Sequence, residues 1–298
     1  MSFEGVIPAI TTPFHDDLSI DFAFLKRHAA QLVAEGCTGV VALGSLGEGA
    51  TLSFEEKVAV LGACREALPA APVLAGIAAL STAEAVALAR AADAAGCAGL
   101  MVLPPYVYRG DARETEAHFR AVMGATSLPC MLYNNPVAYG TDVSPEQLAG
   151  LASSVSNLVA VKESSTDVRR ITAIRALLGD RLSVFVGVDD LALEGVAAGA
   201  VGWIAGLVNA LPAESVRLFE LARTHRLAEA RALYKWFLPL LRLDVDPKFV
   251  QLIKLVQAEV DLGSERVRPP RLTLVGPERD AALSLIRACL RKRPASPA

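Results

Sequence analysis

The sequence predicts an α/β fold, a (β/α)₈ barrel followed by a helical C-terminal unit, on three observations. Eight short β-rich runs recur along the chain. A loop and an Ala/Leu-rich stretch of a dozen or more residues follow them, as in Ser19–Gly36, where apolar residues fall at i, i+3, i+4 and i+7, the spacing of a helix with one buried face. Several of these stretches close on glycine before the next strand, at Gly36, Gly96 and Gly199, where a left-handed C′ residue ends a helix.

The strands, in order, are expected at residues 5–11, 39–44, 72–78, 99–105, 129–134, 158–164, 182–187 and 201–206. Near-continuous apolar strands alternating with helices imply a parallel sheet covered on both faces, and eight of them favour closure into a barrel over an open doubly wound sheet. After residue 210 no strand recurs. Residues 212–224, 226–242, 246–261 and 277–291 read as helices, the first completing the barrel. The expected division is therefore 1–224 for the barrel and 225–298 for the helical unit, packed together because no low-complexity linker separates them.

Composition narrows the function. With 298 residues, 53% hydrophobic and 20% charged, the chain buries a large core and is not disordered. A net charge of -3 gives no electrostatic footprint for nucleic acid, and Arg291-Lys292-Arg293 reads as a solvated end. No apolar run reaches the ~18–20 residues that a bilayer span requires, and the N-terminus lacks a basic region followed by a long apolar stretch. Five scattered cysteines without a C-x-x-C pair read as buried thiols. A cytoplasmic protein without membrane or nucleic-acid partners is the expectation.

Catalytic groups of such barrels sit at the C-terminal ends of strands and in the loops that follow. Those positions carry Gly44-Ser45-Leu46-Gly47-Glu48, Tyr106 and Tyr108, Tyr133-Asn134-Asn135-Pro136, Lys162-Glu163-Ser164 and Gly187 to Asp190. Of seven lysines, six lie on or beside helical segments with polar faces, where a solvated ammonium is the ordinary reading. Lys162 alone ends a strand. Apolar walls would desolvate its amine and disfavour the charged form, which suits a nucleophile that forms Schiff bases with ketones or imines. Pairing with Glu163 or with a phosphate is the alternative, and Asp189-Asp190 in the seventh loop is unfriendly to phosphate.

Tyr133 ends the neighbouring strand, where a phenol either packs or shuttles the protons of carbinolamine collapse. The small turn Gly44 to Gly47 leaves backbone amides open to a carboxylate, although a G-x-x-G turn alone carries little specificity. The four histidines have no short ligand spacing, and no dinucleotide or P-loop fingerprint appears. No cofactor and no metal are expected.

Gly44-Ser45-Leu46-Gly47-Glu48, Tyr133-Asn134-Asn135-Pro136, Val161-Lys162-Glu163, Gly187 to Asp190, Gly199 to Gly202 and Arg268-Pro269-Pro270 fall in the order and spacing of one family. Over essentially its full length the chain resembles the dihydrodipicolinate synthase/N-acetylneuraminate lyase family. The resemblance implies a homotetramer that forms a Schiff base between a strand-six lysine and a small 2-oxo acid or cyclic imino acid. By position, Lys162 resembles the nucleophile, Tyr133 the proton shuttle, and Ser45 with the Ser45 and Leu46 amides the carboxylate-binding turn. Gly44, Gly47, Tyr106, Asn135, Gly187, Asp189 and Ile204 would line the remaining pocket.

Departures from the family pattern point to a branch. Dihydrodipicolinate synthases keep two hydroxyl residues in the turn, and Leu46 replaces the second, so their hydroxyl relay is expected to be broken. Their arginine for a second carboxylate is Ala138 here, and Tyr106-Val107-Tyr108 replaces the Tyr-Tyr pair that lends a relay phenol to a neighbouring subunit. The chain resembles instead the deaminases that convert 1-pyrroline-4-hydroxy-2-carboxylate to 2,5-dioxopentanoate and ammonia in hydroxyproline catabolism. Its alternatives are a class I aldolase acting on a 4-hydroxy-2-oxo acid, a dihydrodipicolinate synthase, and a non-catalytic binding barrel.

Overall fold

A computed structural model describes residues 3–294; Met1, Ser2 and the last four positions of the expected helical unit lie outside the described residues. All eight expected strands are present: β1 (Gly5–Pro8), β2 (Val40–Ala42), β3 (Val73–Ile77), β4 (Gly99–Val102), β5 (Cys130–Asn134), β6 (Leu158–Glu163), β7 (Ser183–Val186) and β8 (Gly202–Ala205). Each pairs in parallel with its neighbour, in the order β1-β8-β7-β6-β5-β4-β3-β2. A parallel bridge from Ala9 to Val41 joins β1 to β2, and the Ile10 amide donates to the Val41 carbonyl at 2.9 Å. The sheet thus closes on itself as a (β/α)₈ barrel.

The regular strands are shorter than the apolar runs that announced them. Strand β1 stops at Pro8, yet Ala9, Ile10 and Thr11 remain buried. Apolar character reports burial, and a buried loop at the barrel mouth reads like a strand end. Gly36, Gly96 and Gly199 have φ of 100°, 76° and 105°, the left-handed conformation that the three joints require. On the opposite rim, loops end at caps such as Ser53 with Glu56, whose reciprocal hydrogen bonds start the helix Phe54–Ala67.

Helices Pro212–Arg223, Leu227–Leu241, Phe249–Glu259 and Gly276–Leu290 follow the last strand, as expected. They do not sit apart from the barrel. Thr11 Oγ1 donates to Gln257 Oε1 at 3.0 Å, and Lys254 Nζ donates to the Thr12 carbonyl at 2.8 Å and to Glu48 Oε1 at 2.5 Å. Lys254 corrects the expectation of a solvated ammonium, since it is 2% exposed and sealed against the first two loops of the barrel. Its charge is tolerated because a buried carboxylate and two carbonyls, those of Thr12 and Arg266, satisfy all three N–H donors.

Candidate active site

Lys162 rises from the C-terminal end of β6 into a cavity of about 460 Å³ at the barrel mouth. Register places it beside Tyr133 of β5 on one side and Phe185 of β7 on the other. Its Nζ lies 4.1 Å from the centroid of the Tyr133 ring, over the electron-rich face. Successive strand residues point to opposite faces, so Glu163 turns away from the cavity. There its carboxylate accepts from Asn134 Nδ2 at 3.1 Å and from the Ser165 amide at 2.6 Å, and burial pushes its pKa up. Pairing between Lys162 and Glu163 is therefore absent, and among the described residues no carboxylate lies within ion-pair distance of Lys162.

Gly187 follows β7 at the point where the lysine stem passes. A Cβ built there would meet Ser164 Oγ at 1.9 Å and the Lys162 Cγ and Cε at 2.7 Å. Only glycine leaves this space to the lysine. Ser164 Oγ is itself buried without a hydrogen-bond partner and stands in the cavity wall. A buried, unpaired hydroxyl of this kind is costly unless a ligand or water completes it.

Ser45, Leu46 and Gly44 form the opposite wall, while Gly47 packs behind it, where a Cβ would lie 2.8 Å from the Ile10 carbonyl. Gly47 thus shapes the turn and does not line the cavity. The turn is held from outside: Thr12 Oγ1 donates to the Gly47 carbonyl at 2.6 Å, and Glu48, with φ of 53°, takes Lys254 on one oxygen and the Arg268 amide, at 2.9 Å, on the other. With the turn clamped in this way, Ser45 and Leu46 are held at the cavity wall.

Asp189 is a second correction. It is fully buried beneath the eighth loop, where its carboxylate accepts from Trp203 Nε1 at 3.0 Å, the Gly206 amide at 3.1 Å and the Leu207 amide at 2.8 Å. Burial, outweighing these donors, pushes its pKa up to about 6. Asp189 positions the loop that brings Gly206 to the cavity, directly after Ile204 and the end of β8. Two carboxyls do line the cavity, Asp246 and Asp244; Asp244 lies in the turn Arg242–Val245 after the barrel, packed against Gly206 and held protonated more readily than usual by burial and by Asp189.

The structure also brings in a residue that sequence reading missed. Pro136–Tyr139 forms a single helical turn, capped at its start by Asn135 Oδ1, which accepts from the Ala138 amide at 3.0 Å, and ended by Gly140 at φ 71°. This turn carries Tyr139 into the cavity, where its hydroxyl hydrogen-bonds Ser45 Oγ. The Tyr139 ring meets Tyr133 edge to face at 5.7 Å between centroids and Tyr106 at 5.8 Å. Asn135 Nδ2 donates to the Tyr133 hydroxyl at 3.1 Å, so one asparagine both starts the turn and orients the strand-end phenol. Four residues are too few for helical periodicity, so the turn left no helical pattern in the sequence. Tyr106, Asn135, Gly187 and Ile204 line the cavity with Lys162, Tyr133 and Ser45, as does Arg271, which has no acid partner among the described residues.

Among the described residues, no cluster of three or more His, Cys, Asp or Glu side chains could hold a metal ion. The same residues contain no helix long and apolar enough to cross a membrane.

Known proteins place this geometry. The 4-hydroxy-tetrahydrodipicolinate synthase of Agrobacterium fabrum is 33% identical over 282 residues, covering 94% of this chain and 96% of the relative. The enzyme of the same name from Methanothrix thermoacetophila is 36% identical over 244 residues, covering 80% and 81%. Among solved structures, the 4-hydroxy-tetrahydrodipicolinate synthase of Methylacidiphilum fumariolicum SolV superimposes with a TM-score of 0.91 at 29% identity, over 98% of both chains. A prophage protein of the dihydrodipicolinic acid synthase family from E. coli K12, solved in complex with pyruvate, superimposes at 0.90 with 27% identity, over 97% of this chain and 99% of that one. The dihydrodipicolinate synthetase family model matches residues 2–289, and the chain belongs to that family.

Proposed function

We propose that the chain is a class I lyase that makes or breaks the bond between C3 and C4 of a 4-hydroxy-2-oxo acid through a Schiff base at Lys162. The observation that carries this reading is the Lys162 amine, 4.1 Å over the Tyr133 ring and facing a cavity, with no carboxylate within ion-pair distance among the described residues. Attack of Nζ on the C2 carbonyl and loss of water give an imine, which serves as the electron sink for C3. In cleavage, the C4 hydroxyl gives up its proton, an aldehyde departs, and the enamine left on Lys162 takes a proton at C3. Hydrolysis then releases pyruvate. Run in reverse, the same steps condense pyruvate with an aldehyde, the direction in which the relatives named as synthases support the reading. The Ser45 and Leu46 amides hold the C1 carboxylate.

Leu46 and Ala138 favour a second reading, because nothing at those positions holds another carboxylate or supplies the second turn hydroxyl. In that reading Lys162 opens 1-pyrroline-4-hydroxy-2-carboxylate, the C4 hydroxyl leaves as water, and two waters then hydrolyse the C5 imine, which releases ammonia, and the Lys162 imine, which releases 2,5-dioxopentanoate. A substrate panel separates the two. The lyase reading expects pyruvate from 4-hydroxy-2-oxo acids and condensation from pyruvate plus aldehydes; ammonia released from the pyrroline, with no pyruvate from any panel member, replaces it with the deaminase.

We also infer a cytoplasmic homotetramer. Five free thiols, four of them buried, support a reducing compartment. Val107, a β-branched residue, adopts a strained φ of 75° while 79% exposed, which supports a covering subunit. Light scattering should give four times the 31.4 kDa chain mass; a monomer at working concentration rejects the assembly.

A further inference from the structure

Resting on the Schiff-base reading above, we infer that Tyr139 is a relay residue that links Ser45 to Tyr133 inside one subunit, so that the proton path to Lys162 is complete without a phenol from a neighbouring copy. Four observations converge on it. The Tyr139 hydroxyl is hydrogen-bonded to Ser45 Oγ. Its ring stands edge to face with Tyr133, the phenol over which Lys162 Nζ lies. Asn135 donates to the Tyr133 oxygen at 3.1 Å, which leaves the Tyr133 O–H free to point at a reacting atom. The same Asn135 caps the turn that carries Tyr139, so shuttle and relay are set by one residue.

Proton bookkeeping shows what the relay supplies. Attack of the neutral lysine amine on C2 forms the C–N bond and moves an electron pair onto oxygen. Tyr133 lends its proton to that oxygen and recovers one from the new ammonium, which gives the carbinolamine. Giving its proton a second time, Tyr133 releases the hydroxyl as water, the C–O bond breaks, and a protonated imine remains. Relative to amine and ketone, one proton has been taken up. That proton enters through Ser45 from water at the cavity mouth, passes to Tyr139 and restores Tyr133. Burial first, and the Tyr133 phenol second, raise the Tyr139 pKa well above the usual phenol value, so this link stays protonated. Leu46, expected to break the hydroxyl path, leaves Ser45 as its outer end.

Rapid-quench borohydride trapping with pyruvate tests the relay. Tyr139→Phe should slow imine formation by about 10²-fold while the final adduct remains complete on Lys162 and half-saturation by pyruvate changes by less than about threefold. Ser45→Ala should slow the same step, and the double variant should be no slower than the worse single one. Tyr108→Phe, exposed and hydrogen-bonded to Glu114, should keep the parent rate. Mixed oligomers of Tyr139→Phe and Lys162→Ala chains should regain no activity. A parent-like trapping rate in Tyr139→Phe, a comparable loss in Tyr108→Phe, or recovery on mixing overturns the in-chain relay while leaving the Schiff base in place. A parent chain that forms no adduct rejects the Schiff-base reading and the relay with it.

Discussion

At the scale of single residues, Lys162 and Tyr133 were legible because a charged or phenolic side chain at the end of an apolar strand is out of place unless it faces the barrel mouth. Gly187 was legible only by resemblance, and its physical reason appears in three dimensions: the space a Cβ would take belongs to the lysine stem and to Ser164. Gly187→Ala should therefore displace the amine without disturbing the barrel. A misplacement of about 1 Å typically costs about 10²-fold in rate, so kcat/KM should fall at least that far while circular dichroism and the unfolding midpoint stay close to the parent. Parent-like turnover in this variant would mean that the lysine is not constrained by Gly187. Asp189 and Gly47 were misread for one reason. A loop residue after a strand can face the cavity or the packing behind it, and spacing along the chain does not tell which. Lys254 was misread because its partner, Glu48, lies 206 positions away.

Among the elements, the eight strands and the four helices after them were legible from apolar periodicity, since the core-facing stripe of a helix and the buried run of a strand are written directly in the sequence. The single turn Pro136–Tyr139 was not, and with it went Tyr139. Asp244 was lost similarly, in a short turn between two helical runs. A contact between two well-predicted helices gives a pH dependence. His28 of helix Phe22–Ala34 is 3% exposed, with Nε2 3.3 Å from Gln257 of helix Phe249–Glu259 and Nδ1 unpartnered. Burial lowers its pKa from 6.5 to about 4. The unfolded chain therefore binds a proton between those values that the folded chain refuses. Stability from this group is complete above pH 6.5 and is lost as the pH falls toward 4. The shift sets an upper size of about 3 kcal/mol. Denaturant unfolding of His28→Gln should show a shallower decline across that range than the parent; parallel slopes would show that His28 does not drive it.

For the whole molecule, the site belongs jointly to the barrel and to the helices beyond it. Lys254 and the Arg268 amide grip Glu48 and so fix the turn that presents Ser45, and the Arg242–Val245 turn places Asp244 over the mouth. Packing of the helical unit onto the barrel was legible from the missing linker, but not that it would hold the ligand turn, because pairs so distant in sequence leave no local pattern. In the proposed function this assembled mouth makes Lys162 a nucleophile toward 2-oxo acids. Borohydride reduction in the presence of pyruvate, followed by mass measurement and peptide mapping, tests it most directly. One reduced pyruvate adduct per chain is expected, on Lys162, and none in Lys162→Ala. An adduct on Lys254 or elsewhere, or an unmodified chain at saturating pyruvate, would contradict it.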